Sequence, residues 1–320
     1  MKTIFITVFV ISVIALYDCH NNDVNEIDVV INPLPPDFHW LPAGLDSNSV
    51  VSLYQTSNGS ILAGTNYGLF ISSDSGSSWL INNHFTNGII TSFTDYKDNT
   101  ILASTSSQGV FISSDDGSNW LNIGLQDINV TALAVNNEGS IFAATRSNGI
   151  YIKDGSIWEP SGSDINSKSF FSLLITQDNK VFAGGTGVYR SDDYGRSWHL
   201  KNQGLGNWAV LSLKVYSGRI VAATDNGGFF YTNNNGENWL SSNNGLTNKE
   251  MTSLAISNQQ QIFAGTWGGG VFYTINYCQN WTSIDSGLNN KAVQDLLVTT
   301  ENIIYAGTFK GVFRSSKIKY

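Results

Sequence analysis

The octet Ser113-Ser114-Asp115-Asp116-Gly117-Ser118-Asn119-Trp120 is built from turn-forming residues and ends on a tryptophan. Asp and Asn side chains fold back onto nearby backbone N–H groups, and Gly takes the left-handed conformation a tight turn demands. One copy would constrain little, but the octet recurs. It stands at Ser72-Ser73-Asp74-Ser75-Gly76-Ser77-Ser78-Trp79 and at Ser191-Asp192-Asp193-Tyr194-Gly195-Arg196-Ser197-Trp198. Weaker copies end at Trp158, Trp239 and Trp281. A chain punctuated in this way is an array of like units, each burying its apolar face against its neighbours.

Three other segments recur between the octets. The first is a short apolar strand, such as Val50-Val51-Ser52-Leu53-Tyr54 or Met251-Thr252-Ser253-Leu254-Ala255-Ile256. The second is the most uniform: Ile61-Leu62-Ala63-Gly64-Thr65, with equivalents at 101–105, 141–145, 181–185, 220–224, 262–266 and 304–308. Its small residues suit a strand crowded near a narrow centre. The third follows a glycine, as in Gly68-Leu69-Phe70 and Gly109-Val110-Phe111. A fourth strand is opened by each Trp. No stretch shows apolar residues at the spacing of three and four that a helix requires.

Four short strands in each unit of about 40 residues indicate a propeller blade. The uniform strand occurs seven times, and so does the blade Trp: Trp40, Trp79, Trp120, Trp158, Trp198, Trp239 and Trp281. The last repeat has no Trp strand of its own, whereas Trp40 has no three strands before it. The expected fold is therefore an all-β, seven-bladed β-propeller of four-stranded antiparallel blades. Strand 38–45 should complete the last blade, joining 292–316 and covering edges that would otherwise stay open.

The octets resemble the Asp-box, or BNR, repeat, Ser-x-Asp-x-Gly-x-Ser/Thr-Trp. The copies at 72–79 and 191–198 match in full, and the copy at 113–120 carries Asn119 in the Ser/Thr place. The copy at 232–239 uses Thr232, Asn234 and Gly236, and the one at 274–281 has Cys278 in place of Gly. The resemblance covers residues 38–320 and extends to sialidases, xyloglucanases, sortilin-type receptors and photosystem II assembly factor-like proteins. It implies that Asp74, Gly76, Trp79, Asp115, Gly117, Trp120, Asp193, Gly195 and Trp198 build the fold, away from any active face. Sialidases carry an Arg-Ile-Pro motif and an arginine triad. Of the five arginines here, only Arg146 follows a second strand, and the only proline after residue 42 is Pro160, so the carboxylate clamp is missing. The chain resembles the superfamily without being a true sialidase.

The N-terminus has the form of an export signal over residues 1–18: Lys2, then an apolar run at 4–16 interrupted only by Thr7 and Ser12. That run is too short to span a bilayer. Cys19 follows where a bacterial lipobox places its lipidated cysteine, although Asp18 stands where that motif has a small residue. The alternatives are a lipoprotein of the bacterial cell envelope, held by one acylated cysteine, and a secreted protein. Residues 19–37, polar and then proline-rich, read as a tether ahead of a propeller domain at 38–320.

Function is less constrained. A formal net charge of -8 and a pI near 4.9 argue against nucleic acid or an anionic membrane surface as partner. The four histidines are scattered, two cysteines cannot form a zinc site, and no phosphate loop or nucleophile elbow is present. No metal, cofactor or catalytic residue is expected. The expected ligand face is built by the loops after the second and fourth strands. Those loops carry Tyr67, Arg146, Asp225, Trp267 and Phe309, and His84-Phe85, Trp208 and Glu250. Trp208 and Trp267 are the two tryptophans outside the blade series. Exposed aromatics beside Asn, Asp and Arg suit stacking on sugars or peptide side chains. The expected function is a monomeric, non-catalytic module that binds a glycan or a protein partner, with membrane contact only through a lipid anchor. The alternatives are a divergent Asp-box glycoside hydrolase, for which Asp225 and Glu250 are the candidate carboxylates, and an assembly-factor or sensor propeller.

Overall fold

Alternating apolar residues bounded by turn formers make each repeat a meander of four antiparallel strands. In the computed structural model the described residues are 34, 37–85, 88–275 and 279–316. The expected signal peptide, Cys19 and nearly all of the tether lie outside them. Seven four-stranded sheets form, and the only helical element described is a single 3-10 turn, Lys97–Asn99. Blade 1 comprises Val50–Gln55, Ile61–Thr65, Gly68–Ser72 and Leu80–Asn82. Blades 2 to 6 repeat this order, with first strands Ile90–Asp95, Val130–Val135, Phe170–Ile175, Val210–Tyr216 and Met251–Ile256. Blade 7 takes Val293–Val298, Ile304–Thr308 and Gly311–Ser315 from one end of the domain and Trp40–Pro42 from the other. The closing pairs are Trp40 with Ser315, Leu41 with Arg314 and Pro42 with Phe313, as the count of tryptophans implies.

First strands of neighbouring blades pack side by side and form the inner wall of the ring. Each carries a bulge after its first residue, as between Val50 and Ser52 or Val293 and Asp295, which adds twist. The uniform second strand is buried along its whole length. Its small residues answer to the next blade rather than to the channel. A Cβ on Gly64 would lie 2.7 Å from Ile90 Cβ, and one on Gly184 would lie 2.6 Å from Val210 O. The core is accordingly seven apolar clusters, one at each seam. Leu34 and Phe38 pack on the cluster between blades 6 and 7, and Phe38 meets Trp40 edge to face.

Polar ties hold six of the seven seams at two radii, and the seam between blades 5 and 6 at the rim. On the inner wall a side chain of one blade reaches a backbone carbonyl of the next: Ser52 Oγ to Ile90 O, Thr91 Oγ1 to Val130 O, Thr131 Oγ1 to Phe170 O, Ser172 Oγ to Val210 O, Thr252 Oγ1 to Val293 O and Gln294 Nε2 to Val50 O, at 2.6–3.2 Å. At the rim the blade tryptophans do this work, each meeting the third residue after the preceding Trp. Trp79 Nε1 donates to Ala43 O, Trp158 to Ile123 O, Trp239 to Lys201 O, Trp281 to Ser242 O and Trp40 to Ile284 O, at 2.5–2.9 Å. At the other two seams that third residue reaches back with its side chain. Asn82 Nδ2 donates to Gly117 O (3.0 Å) and Ser161 Oγ to Gly195 O (2.5 Å), carbonyls shared with the indoles of Trp120 and Trp198.

Each complete octet closes on itself. Asp74 accepts from the backbone N–H and the hydroxyl of Ser78 (2.8 and 2.6 Å) and bonds Ser72, while Ser72 Oγ accepts from Gly76 N–H. Asp115 and Asp193 repeat the pattern, and Asn234 largely does so in blade 5. Two successive left-handed residues make the corner, with Gly195 at φ +84°. A Cβ there would also come within 2.6 Å of Ile152 Cδ1 in blade 3. In blade 3 the octet shrinks to a two-residue turn between Asp154 and Ile157. The outer strand is expected to open on its Trp. In blades 1, 2, 4, 5 and 6 it instead begins one residue later, because the octet still holds the Trp.

Two predictions follow from the seams. Trp239→Phe keeps the ring in its slot but removes the donor to Lys201 O; it should cost about 1–2 kcal/mol in urea unfolding. Asp295 stands in the inner-wall position held by Ser52, Ser92, Ala132, Ser172, Ser212 and Ser253. Its carboxyl accepts from Leu53 N–H (2.8 Å) and Leu296 N–H (2.9 Å), and enclosure in the closing seam pushes its pKa up to about 6, against the pull of those bonds and of Lys214. A raised carboxylate pKa penalises the folded state above that value and releases the penalty as the group protonates. Asp295→Ser should therefore gain most over the parent protein above pH 6, with the gain shrinking towards pH 4. Asp74 runs the other way. The hydrogen bonds from Ser78 hold it at about 2, so its contribution persists above about pH 4 and is lost as pH falls towards 2. Urea midpoints at a series of pH values separate the two.

Candidate functional site

The turns after the second strands share a lock that uses no outward-facing side chain. A threonine closing the strand donates its hydroxyl to the carbonyl of the glycine that opens the third: Thr65 to Gly68, Thr105 to Gly109, Thr145 to Gly149, Thr224 to Gly228, Thr266 to Gly270 and Thr308 to Gly311, at 2.8–3.0 Å. The backbone of the turn also bonds to the approach of the first strand, as in Asn66 N to Ser49 O and Asp225 N to Ala209 O. The lock fixes the loop and leaves the displayed residues free to differ from blade to blade. They do differ: Tyr67, Ser106-Ser107-Gln108, Arg146-Ser147-Asn148, Asp225-Asn226, Trp267 and Phe309-Lys310 occupy these turns. Blade 4 has Gly185 in place of the threonine and displays only Thr186.

Tyr67, Trp208, Trp267 and Phe309 are all at least 40% exposed, and Arg146 and Asp225 are exposed beside them in the ring. The structure brings two of the aromatics into contact. Trp267 forms a bridge with Ala292 of blade 7, and Phe309 N–H donates to Ala292 O (3.2 Å). Their rings then meet edge to face, with centroids 4.7 Å apart at 87°. Gly268, next to Trp267, has open space where a side chain would stand. Trp208 lies over the blade 5 turn: a Cβ on Gly227 would fall 2.6 Å from its Cδ1, which sets the indole beside Asp225. Tyr67 stands next in the ring, in blade 1, and Arg146 stands apart from the aromatics in blade 3. Arg146 takes part in none of the ion pairs among the described residues. The face is thus uneven, with aromatics on blades 5, 6, 7 and 1 and polar residues on blades 2 and 3.

Two expected members of this face do not belong to it. Phe85 is buried against Phe111 and Trp120. His84 Nε2 faces Asn119 Oδ1 in the next octet (3.1 Å), because the outer strand of blade 1 stops at Asn82 and the chain is still at the rim there. The octet aspartates are committed to their own turns: hydrogen bonds from Asn119 hold Asp115 below the usual carboxylate range, and those from Ser197 hold Asp193 there against partial burial. Among the described residues no group of three or more His, Cys, Asp or Glu is placed to hold a metal ion. Asp225 Oδ1 accepts from Asn226 Nδ2 (3.1 Å), and Glu250 N–H bonds to Asn248 Oδ1 (2.8 Å). A cavity of about 890 Å³ opens on the opposite, octet-bearing face and includes neither carboxylate. Sequence reasoning missed that cavity. Its signal is the shortened octet of blade 3 beside Tyr194, an octet position that holds Ser75, Asp116 and Asn235 in blades 1, 2 and 5 and Tyr277 in blade 6.

Comparison with known proteins places this ring among propellers. The two component regulator propeller family matches residues 44–67. No curated protein matches the chain. Among solved structures, the extracellular domain of BT4673 from B. thetaiotaomicron is 19% identical with a TM-score of 0.72, covering 89% of this chain and 40% of that one. The chain therefore spans well under half the length of that relative. YCF48 bound to D1 peptide is 14% identical, with a TM-score of 0.68 over 88% of this chain and 99% of that one. Virginiamycin B lyase from Staphylococcus aureus is 8% identical, with a TM-score of 0.71 over 88% of this chain and 99% of that one. At these identities the likeness is one of fold.

Trp267 is held by its backbone and by one exposed ring contact, so Trp267→Ala should change unfolding free energy by less than about 1 kcal/mol. A larger loss in urea unfolding would mean that the ring belongs to the packing and not to a displayed surface.

Proposed function

We propose that the protein is an exported, non-catalytic propeller that grips a glycan or a protein partner with the aromatic sector of its loop face. The observation that carries this reading is the exposed edge-to-face pair of Trp267 and Phe309, with Trp208 exposed beside Asp225. Aromatic rings left half in water cost the fold apolar exposure, and they offer flat faces to a sugar ring or an apolar side chain. The residues around them, Asp225, Asn226, Asn248 and Glu250, add hydrogen-bonding groups. The octets, whose hydrogen-bonding pattern suits the Asp-box repeat, supply the scaffold. Export rests on the signal-like residues 1–18, with Cys19 as the site of a lipid anchor in the cell envelope.

A sensor or assembly role is the second reading of the same face. BT4673 carries this fold in an extracellular domain, and YCF48 was solved bound to a peptide. A hydrolase would need paired carboxylates in a cleft, whereas Asp225 and Glu250 sit on displayed turns.

The mature domain should bind on a glycan array or capture a partner from its own envelope fraction, and Trp208→Ala or Trp267→Ala should weaken that binding by roughly ten-fold or more. Binding that survives both substitutions would remove the aromatic sector from the reading. Separately, Cys19→Ser should move the protein from the membrane fraction to the soluble fraction, read by fractionation and immunoblot.

A further inference from the structure

The cavity on the octet face belongs to no part of the loop-face site. It exists because blade 3 departs from the repeat. With its octet reduced to Gly155-Ser156, strands Ile150–Asp154 and Ile157–Ser161 run on as an uninterrupted hairpin. This hairpin stands beside the octet of blade 4, and a groove of about 890 Å³ opens between them over Phe142. That volume lies in the upper part of the range for ligand sites.

The lining has a definite chemistry. Glu138, Asp154 and Glu159 bring three carboxylates, against the single guanidinium of Arg196. None of Asp154, Glu159 and Arg196 takes part in an ion pair among the described residues. Two ammonium groups stand at the margin without being part of the lining: Lys153 Nζ bonds Ser156 O and lies 5.9 Å from the centre of the Trp158 ring, and Lys97 Nζ bonds Glu138 O (3.0 Å). Between the charges stand two exposed apolar groups, Ile157 at 68% and Tyr194 at 48%. Tyr194 is held at φ +59°, a left-handed conformation costly for a bulky residue; the matching residues are Ser75, Asp116, Asn235 and Tyr277. The edge strand of the hairpin contains Pro160, which cannot donate to an added strand. A ligand here is gripped by side chains, not by a backbone ladder.

We propose that this groove binds a peptide segment of a partner protein that combines basic and apolar side chains. Lysine or arginine side chains answer the net negative lining, and an apolar side chain covers Ile157 and Tyr194. A small polycation would satisfy the carboxylates and leave those two side chains in water. The site is independent of the loop face, so it stands or falls apart from the function proposed above.

The test is a phage-displayed random heptapeptide library panned on the full chain after depletion on an Asp154→Asn/Glu159→Gln/Tyr194→Asn variant. The depletion removes peptides that favour the loop face. The enriched consensus, made as a fluorescein-labelled peptide, is titrated by anisotropy. It should contain basic and apolar residues and bind less tightly as salt rises. Asp154→Asn/Glu159→Gln should weaken binding by roughly ten-fold. Tyr194→Asn should weaken it similarly while keeping or raising the Tm, because Asn tolerates the left-handed backbone. Asp98→Asn, which removes one carboxylate from the same face outside the groove, should leave binding unchanged. The proposal is overturned if no peptide is enriched over the depletion step, if the groove variants bind the consensus as tightly as the parent protein, or if spermine binds with the same affinity and the same dependence on Glu159.

Discussion

The bond on which the ring depends is the one between a blade tryptophan and the third residue after the tryptophan before it. Apolar burial alone would hold neighbouring blades together, but it is indifferent to small slips of one sheet over the next. The indole supplies both terms at once. Its ring fills the wedge that opens between blades towards the rim, and its N–H must find an acceptor because it is buried. At five seams that acceptor is a carbonyl of the neighbouring outer strand. Where Asn82 or Ser161 stands in the receiving place, the side chain bonds the octet instead, and the seam keeps its register by an equivalent route. The inner hydroxyl-to-carbonyl ties do the same for the wall of the channel. A seam pinned at two radii resists both sliding and hinging.

Ring closure follows from this pairing and needs no special device at the rim. Trp40 donates to Ile284 O and Trp79 to Ala43 O, so the strand borrowed from the start of the domain gives and receives the same bonds as any other. The inner wall is different. At the closing seam Gln294 takes the part played elsewhere by a hydroxyl, and Asp295 occupies a serine position. Joining strands from opposite ends of the domain is the step with the highest loop-closure cost, and here the seam is tied by a longer side chain and a carboxylate. The open edges lie outside, on the fourth strands. Most have only two or three residues, and the longest edges a partner strand could use is broken by Pro160.

Blade number, strand order and the closing strand are all legible in the sequence, because each rests on a residue type that recurs at a fixed place. Gly76, Gly117 and Gly195 mark left-handed corners, and the blade tryptophans mark seams. The reason for the small residues of the second strand is not legible. Ala63-Gly64 reads as crowding at the centre, but the crowding atoms are Ser52 Oγ of the same blade and Ile90 of the next, contacts set by tertiary packing. His84 and Phe85 were misread for a related reason: a turn's length does not reveal where along the rim the chain crosses from one face to the other. Of the residues expected on the ligand face, Tyr67, Arg146, Trp208, Asp225, Trp267 and Phe309 are exposed. The contact between Trp267 and Phe309 was hidden because they lie on different blades and meet only through Ala292.

A repeat array makes its exceptions informative, since each position comes with several controls in the same chain. Turn threonines, octet aspartates and blade tryptophans recur because the backbone needs them, and a residue so employed is poorly placed to do chemistry as well. Departures from the pattern are of two kinds. Some cost the fold nothing, such as the changing residues displayed on the locked turns, and these are what a recognition surface requires. Others oppose the local physics: a carboxyl enclosed at Asp295 and a tyrosine in a left-handed corner at Tyr194, an octet position that also holds Tyr277 in blade 6. Exceptions of the second kind need a compensating gain. For Asp295 the gain is visible in the two N–H groups it satisfies. Tyr194 has no such bond among the described residues, and its half-exposed side chain borders a groove whose lining carries three carboxylates against one guanidinium. The physical argument for a partner is therefore stronger at that corner than at any octet that keeps to the repeat.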